Sequence, residues 1–131
     1  MQLPIQITKN NAGKIDSISY CEDGAPISVT DLMALSSVDL NWDRVTDFQR
    51  RVYQELMAIG VGQTISYRDL AARVGRPNGA RAIGNAMAKN PFLIVVPCHR
   101  VIESNGGLGG FASGLDVKRA LLAAEGWLAH Q

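Results

Sequence analysis

Five consecutive apolar residues, Phe92-Leu93-Ile94-Val95-Val96, are closed at both ends by proline, Pro91 before and Pro97 after. A run this short and this apolar reads as a buried strand-like segment that carries its last residues toward a cleft. It delivers Pro97-Cys98-His99-Arg100-Val101-Ile102, and behind that comes the glycine-rich stretch Asn105-Gly106-Gly107-Leu108-Gly109-Gly110. A chain built this way must close its core around a rigid element that ends in a thiol.

The thiolate is the reactive form of cysteine, and a nearby imidazole that takes the thiol proton is the common way to make it. The chain has only two histidines, and one of them, His99, follows Cys98 directly. Neighbours in an extended segment point to opposite faces, so contact between them would need a turn or a bridging water. Taken alone, Cys98 reads more readily as an inert core cysteine than as a nucleophile, and the adjacent histidine moves that little.

With 131 residues and 47% hydrophobic content, the chain is one ordinary domain or one domain with a small appended piece. No apolar run approaches a membrane span, and Met1-Gln2-Leu3-Pro4 lacks a signal-peptide pattern. A soluble intracellular protein is expected, placed in the cytoplasm or, in a eukaryote, the nucleus. Cys21 and Cys98 have no Cys-x-x-Cys spacing and His130 stands isolated, so reduced thiols, no metal and no cofactor are expected. The net charge of +1 hides a division: residues 1–43 carry −4, residues 44–119 carry +6, and Glu125 supplies the remaining −1. A modest basic excess over the middle of the chain fits a phosphate-facing surface without demanding one.

Residues 4–27 read as a hairpin, with strands around Ile5-Gln6-Ile7 and Ile15–Tyr20, a polar turn between them, and Asp23-Gly24 and Pro26 as the stop. An isolated hairpin is barely stable in water, so this one should pack on the helices after it through Ile5, Ile7, Ile15, Ile18 and Trp42. Thr30 or Asp31 could cap a single turn through Leu32, Met33 and Leu35. Thr46-x-x-Gln49 is a capping box, and Phe48, Val52, Leu56 and Ile59 recur at helical spacing up to Gly60. Ser66-x-x-Asp69 opens a second helix over about 67–74, stopped by Gly75. A third helix covers 80–89 before Asn90-Pro91, and a last one spans about 115–125, with Val117, Leu121 and Ala124 inward.

Helix, short glycine-containing turn, helix is the helix-turn-helix arrangement. Ala80, Ala82, Gly84 and Ala86 leave its second helix slim, suited to lying close to DNA and equally to tight packing in a core. Arg68, Arg73, Arg76, Arg81 and Lys89 tilt the balance toward DNA. The expected fold is α+β. A small amino-terminal β-hairpin region and connector (1–43) packs on a mainly helical, winged-helix-like domain (44–131) containing the helix-turn-helix.

Residues 48–126, about three-fifths of the chain, resemble motif by motif the O6-alkylguanine-DNA alkyltransferases, also called methylated-DNA–protein-cysteine methyltransferases. The core, Pro97-Cys98-His99-Arg100-Val101-Ile102, is highly specific to that family and its close relatives. The resemblance implies a monomeric, self-inactivating enzyme that takes an alkyl group from O6-alkylguanine in double-stranded DNA after flipping the base from the minor groove. It implies Cys98 as nucleophile, His99 as base acting through a water, and Glu125 as the carboxylate orienting the histidine. Tyr67 would contact the flipped base, and Arg81 would fill the gap the base leaves, on a recognition helix that includes Ala80, Ala82 and Gly84. Asn90 would tie that helix to the active-site turn, and Val101, Phe111, Ala112, Ser113 and Gly114 would line the base pocket.

The chain departs from the family pattern in two places. The usual larger amino-terminal domain is reduced, and Gly110-Phe111-Ala112-Ser113-Gly114 stands where Gly-Tyr-x-Gly-Gly is common, which puts bulky adducts in doubt while leaving methyl transfer intact. Two other readings remain open. Alkyltransferase-like proteins bind the lesion without accepting the group, but they replace the reactive cysteine, which is present here. A helix-turn-helix regulator would bind undamaged DNA by sequence, usually as a dimer, and no dimerisation helix or heptad run is visible.

Overall fold

The computed structural model describes residues 1–111 and 113–127. Three antiparallel strands come first: β1 (Gln2–Lys9), β2 (Ile15–Tyr20) and β3 (Ala25–Ser28), in the order β2-β1-β3. The hairpin forms as expected and its second strand ends at Tyr20, before Asp23-Gly24, but a third strand that was not expected follows through Pro26. Gly24 lets the chain double back against β1, since a Cβ there would lie 2.7 Å from the backbone of Ile5. Pro26 is tolerated because β3 is an edge strand, where a missing N–H breaks no inner ladder. Leu3, Ile5, Ile15 and Ile18 turn inward as core residues, and Ile7 is only partly buried.

The outer edge of β2 is occupied by the segment that leads to Cys98. The Ile18 N–H donates to the Pro91 carbonyl at 2.7 Å, and the Ile18 carbonyl accepts from the Leu93 N–H at 3.1 Å. Helix α1 (Val29–Met33) and 3-10 turns at Ser37–Asp39 and Trp42–Arg44 then cross to the helical part. Trp42 meets Phe92 edge-on, with ring centroids 5.7 Å apart and planes at 72°. Both strand edge and indole therefore bear on the segment that leads to Cys98.

Helix α2 (Asp47–Met57) starts at the capping box: the Gln49 N–H donates to Thr46 Oγ1 at 3.1 Å and the Thr46 N–H to Gln49 Oε1 at 3.0 Å. It buries Val52, Tyr53 and Leu56. Strand β4 (Ile65–Ser66) runs into helix α3 (Tyr67–Arg73), whose cap is Ser66, accepting from the Asp69 N–H at 3.0 Å. Helix α4 (Ala80–Ala88) completes the helix-turn-helix, burying Ile83 and Ala86 against the core and leaving Ala80, Arg81 and Ala88 exposed. A two-residue strand β5 (Val101–Ile102) pairs in parallel with β4, Ile65 opposite Val101 and Ser66 opposite Ile102. That pairing seats the start of α3 beside the residues just past Cys98.

The proline-bounded apolar run is buried as expected, but it is a tight turn and not a strand. Ile94 has φ +72°, the left-handed region that a β-branched residue rarely occupies. The N–H groups of Val95, Val96 and Cys98 bond back to the carbonyls of Leu93, Phe92 and Val96 at 2.9, 3.0 and 2.7 Å. The last helix, α5 (Leu115–Ala124), buries Lys118, Leu121 and Leu122. Val117 is only half-buried and Ala124 is exposed, so the expected inward face is rotated by about one residue. Among the described residues no helix is long and apolar enough to cross a membrane.

Candidate active site

Cys98 opens a short 3-10 turn, Cys98–Arg100, immediately after the buried turn. Its residue is 7% exposed, yet it lines a cavity of about 860 Å³ that reaches the surface. Burial pushes the thiol pKa up, while a hydrogen bond with Asn90, the charge of Lys118 and the N–H groups of Cys98 and His99 pull it down. The resting group is therefore a thiol surrounded by features that favour its anion.

The 3-10 turn also resolves how adjacent residues can serve one site. His99 points into the core, where Nε2 lies 2.9 Å from Glu125 Oε2. An ionised carboxylate only accepts, so Nε2 carries the proton and Nδ1 keeps its lone pair. Among the described residues Nδ1 is buried without a partner. Burial lowers the His99 pKa against the pull of Glu125, which favours the neutral ring. The site thus holds an unprotonated imidazole nitrogen beside the thiol-bearing turn.

Glu125 caps α5 and is fixed by more than the histidine. Arg100 forks onto it, Nε to Oε1 at 2.9 Å and Nη2 to Oε2 at 2.6 Å, while Nη1 donates to the Ile59 carbonyl at 2.7 Å. Burial alone would raise the carboxyl pKa, but the bonds from His99 and Arg100 bring it down to about 2. The carboxylate stays charged over any working pH.

Lys118, absent from the residues singled out in the sequence, is fully buried. Its Nζ donates to the carbonyls of Val101 at 2.7 Å and Gly110 at 3.3 Å, and lies about 6 Å from the ring centres of Tyr67 and Phe111. Burial lowers its pKa to about 8. The signal was available: Lys118 shares a helix face with Leu121, Leu122 and Glu125, and a lysine on an apolar stripe needs buried acceptors. Val101 is buried, with its carbonyl engaged by this ammonium group.

Of the other expected site residues, Tyr67, Ala80, Arg81, Gly84, Asn90, Phe111 and Ser113 line the cavity together with Cys98. Ala82 and Gly114 stand off it, Gly114 serving as the N-cap of α5 with φ +102°. Ala112 lies outside the described residues. Asn90 donates from Nδ2 to the Val96 carbonyl at 3.1 Å and accepts at Oδ1 from the Phe92 N–H at 2.9 Å, so it staples the end of α4 to the turn before Cys98. The Tyr67 phenol lies against Gly109, where φ is +72° and a Cβ would come within 2.8 Å of the hydroxyl. Burial, then the charges of Cys98 and Glu103, raise the Tyr67 pKa, which keeps the phenol a donor. Ile18, Ser19 and Tyr20 of β2 complete the far wall, a contribution from the small sheet that its sequence did not announce.

A family model described as the 6-O-methylguanine DNA methyltransferase, DNA binding domain, matches residues 47–127. A methylated-DNA–protein-cysteine methyltransferase of Salmonella typhimurium is 55% identical over 83 residues, covering 63% of this chain and 48% of the relative. One from Mycolicibacterium paratuberculosis is 49% identical over 92 residues, covering 70% and 56%. The chain thus spans about half the length of the curated relatives it matches. Among solved structures it is similar to Mycobacterium tuberculosis OGT in complex with DNA, with TM-score 0.75 and 34% identity over 92% of this chain and 85% of that one. It is also similar to S. pombe Atl1 in complex with damaged DNA containing O6-carboxymethylguanine, with TM-score 0.59 and 33% identity over 67% of this chain and 83% of that one.

Proposed function

This chain belongs to the 6-O-methylguanine DNA methyltransferase family, and from that membership we propose that it repairs duplex DNA by moving the alkyl group of an O6-alkylguanine onto Cys98, once per molecule. The observation that carries the reading is the placement of Cys98 in one cavity with Tyr67 and with Arg81 on α4, directly before a neutral histidine held by a carboxylate. Residues 44–131 carry the reaction and residues 1–43 brace it. The protein acts as a monomer, in the cytoplasm or nucleus, and needs no cofactor.

The O6 atom of a paired guanine is hidden in the stack, so the nucleotide must be extruded, at a cost of about a few kcal/mol. Arg81, exposed near the start of the slim helix α4, fills the space left behind. The flipped base enters between Tyr67 and the loop of Gly109, Gly110 and Phe111. His99 Nδ1 receives the thiol proton through a water, Glu125 steadies the imidazolium that results, and Lys118 favours the thiolate. The sulfur attacks the alkyl carbon, the carbon–O6 bond breaks, and the electron pair leaves on guanine, which Tyr67 assists as hydrogen-bond donor. The product is a thioether with no route back to the thiol.

The likeness to S. pombe Atl1 supports a second reading, lesion binding without transfer. Cys98 favours transfer. Incubation with duplex DNA containing one O6-methylguanine should add a single methyl mass to the peptide bearing Cys98. An unmodified peptide from protein that still holds the lesion DNA would leave binding alone.

A further inference from the structure

Tyr53, on α2, is fully buried, yet it carries a hydroxyl, and a buried hydroxyl needs a partner. Its partner is the Ala86 carbonyl in the last turn of α4, to which it donates at 2.5 Å. That carbonyl depends on it. The Lys89 N–H goes to the Asn85 carbonyl at 3.1 Å and the Asn90 N–H to the Met87 carbonyl at 3.3 Å, so no main-chain donor among the described residues serves Ala86. The helix end is completed by a side chain from another helix.

The neighbours of this bond give it a consequence. Met87 and Ala88 come directly after Ala86 and line the cavity, and Asn90 carries the connection onward to Val96 and Phe92 in the turn before Cys98. Tyr53 and the Cys98 sulfur are also within electrostatic reach, since the thiolate charge adds to burial in raising the phenol pKa and keeps it a donor. A phenylalanine would fill the same volume, so the oxygen is there for the bond.

We infer that Tyr53 is a positioning residue for transfer from duplex DNA, its hydroxyl fixing the carboxyl end of α4 so that the groove-facing helix and the Cys98 turn keep a constant spacing. This rests on the transfer reading above. DNA seated on α4 presents the flipped base at a distance set by that spacing, whereas a free base diffuses to the sulfur without reference to the helix. Small displacements of a reacting pair are costly in rate.

The test is Tyr53→Phe, measured three ways: methyl transfer from duplex DNA, transfer from free O6-methylguanine base, and alkylation of Cys98 by iodoacetamide. The expected result is a loss of about tenfold or more on the duplex, with the other two rates unchanged. Leu32→Val in α1, also buried and remote from the cavity, serves as a control for lost stability and should keep its duplex rate. An unchanged duplex rate, an equal fall in all three reactions, or the same duplex loss in Leu32→Val would overturn the assignment. Wild-type protein that fails to accept methyl from duplex DNA would remove the transfer reading and this inference together, whereas failure confined to the Tyr53→Phe split removes the inference alone.

Discussion

At the scale of single residues, the site is a set of charges whose states are fixed by their surroundings. Glu125 is held ionised by Arg100 and His99, His99 is held neutral by burial, and Lys118 places a cation behind the pocket wall. The thiol is raised by burial and lowered in part by that cation, so removing the charge while keeping a donor should raise it further. Lys118→Gln is therefore expected to slow transfer several-fold near pH 7, with the rate recovering as pH rises because more thiolate forms; a stopped-flow pH–rate profile should show its midpoint displaced upward. An unshifted midpoint would deny the ammonium group a part in activating the sulfur. Cys98 and His99 stood out in the sequence, but the cysteine alone read more readily as an inert core residue, and it was the motif around the pair that marked them. Glu125 was reached only by family resemblance, since a glutamate before a helix-stopping glycine looks like any surface carboxylate. Lys118 had one sequence signal, its place on the apolar stripe of Leu121 and Leu122, but its partners are the backbone carbonyls of Val101 and Gly110, which only the fold brings to it.

At the scale of elements, local signals were read well and tertiary overrides were not. The capping box at Thr46 and Gln49 and the cap at Ser66 form where the sequence puts them, because both are satisfied within four residues. The apolar run 92–96 was expected to extend and instead turns, because three N–H groups find carbonyls behind them and Ile94 accepts a left-handed backbone. Strand β3 was missed because proline looks like a terminator unless the strand is known to sit at an edge. The joint between α4 and the turn is Asn90, whose side chain serves the Val96 carbonyl and the Phe92 N–H at once. Asn90→Ala strands the buried Phe92 N–H and leaves the Val96 carbonyl with the Cys98 N–H alone, and should cost about 2 kcal/mol in denaturant unfolding. It should also slow alkylation of Cys98, because the Asn90 amide, which lowers the thiol pKa, is lost.

At the scale of the whole molecule, one apolar core runs from the small sheet through the helices, taking in Leu3, Ile5 and Ile18 together with Phe92, Ile83 and Leu121. The sheet shares the core of the helical part, and its edge strand is hydrogen-bonded to the segment that leads to Cys98. Ile18→Ala, at a position 1% exposed, should lower stability by about 3 kcal/mol. Tryptophan fluorescence, through Trp42 on Phe92, and helical circular dichroism should fall in one shared transition. Separate transitions would mean that the sheet and the helices unfold independently.

The shortest ladder in the molecule, Ile65 with Val101 and Ser66 with Ile102, reaches further than its size suggests. Tyr67 begins one residue beyond one rail of it and Cys98 ends three residues before the other. The two lie off opposite ends of the ladder, so its two rungs tie the helix that carries the phenol to the turn that carries the sulfur.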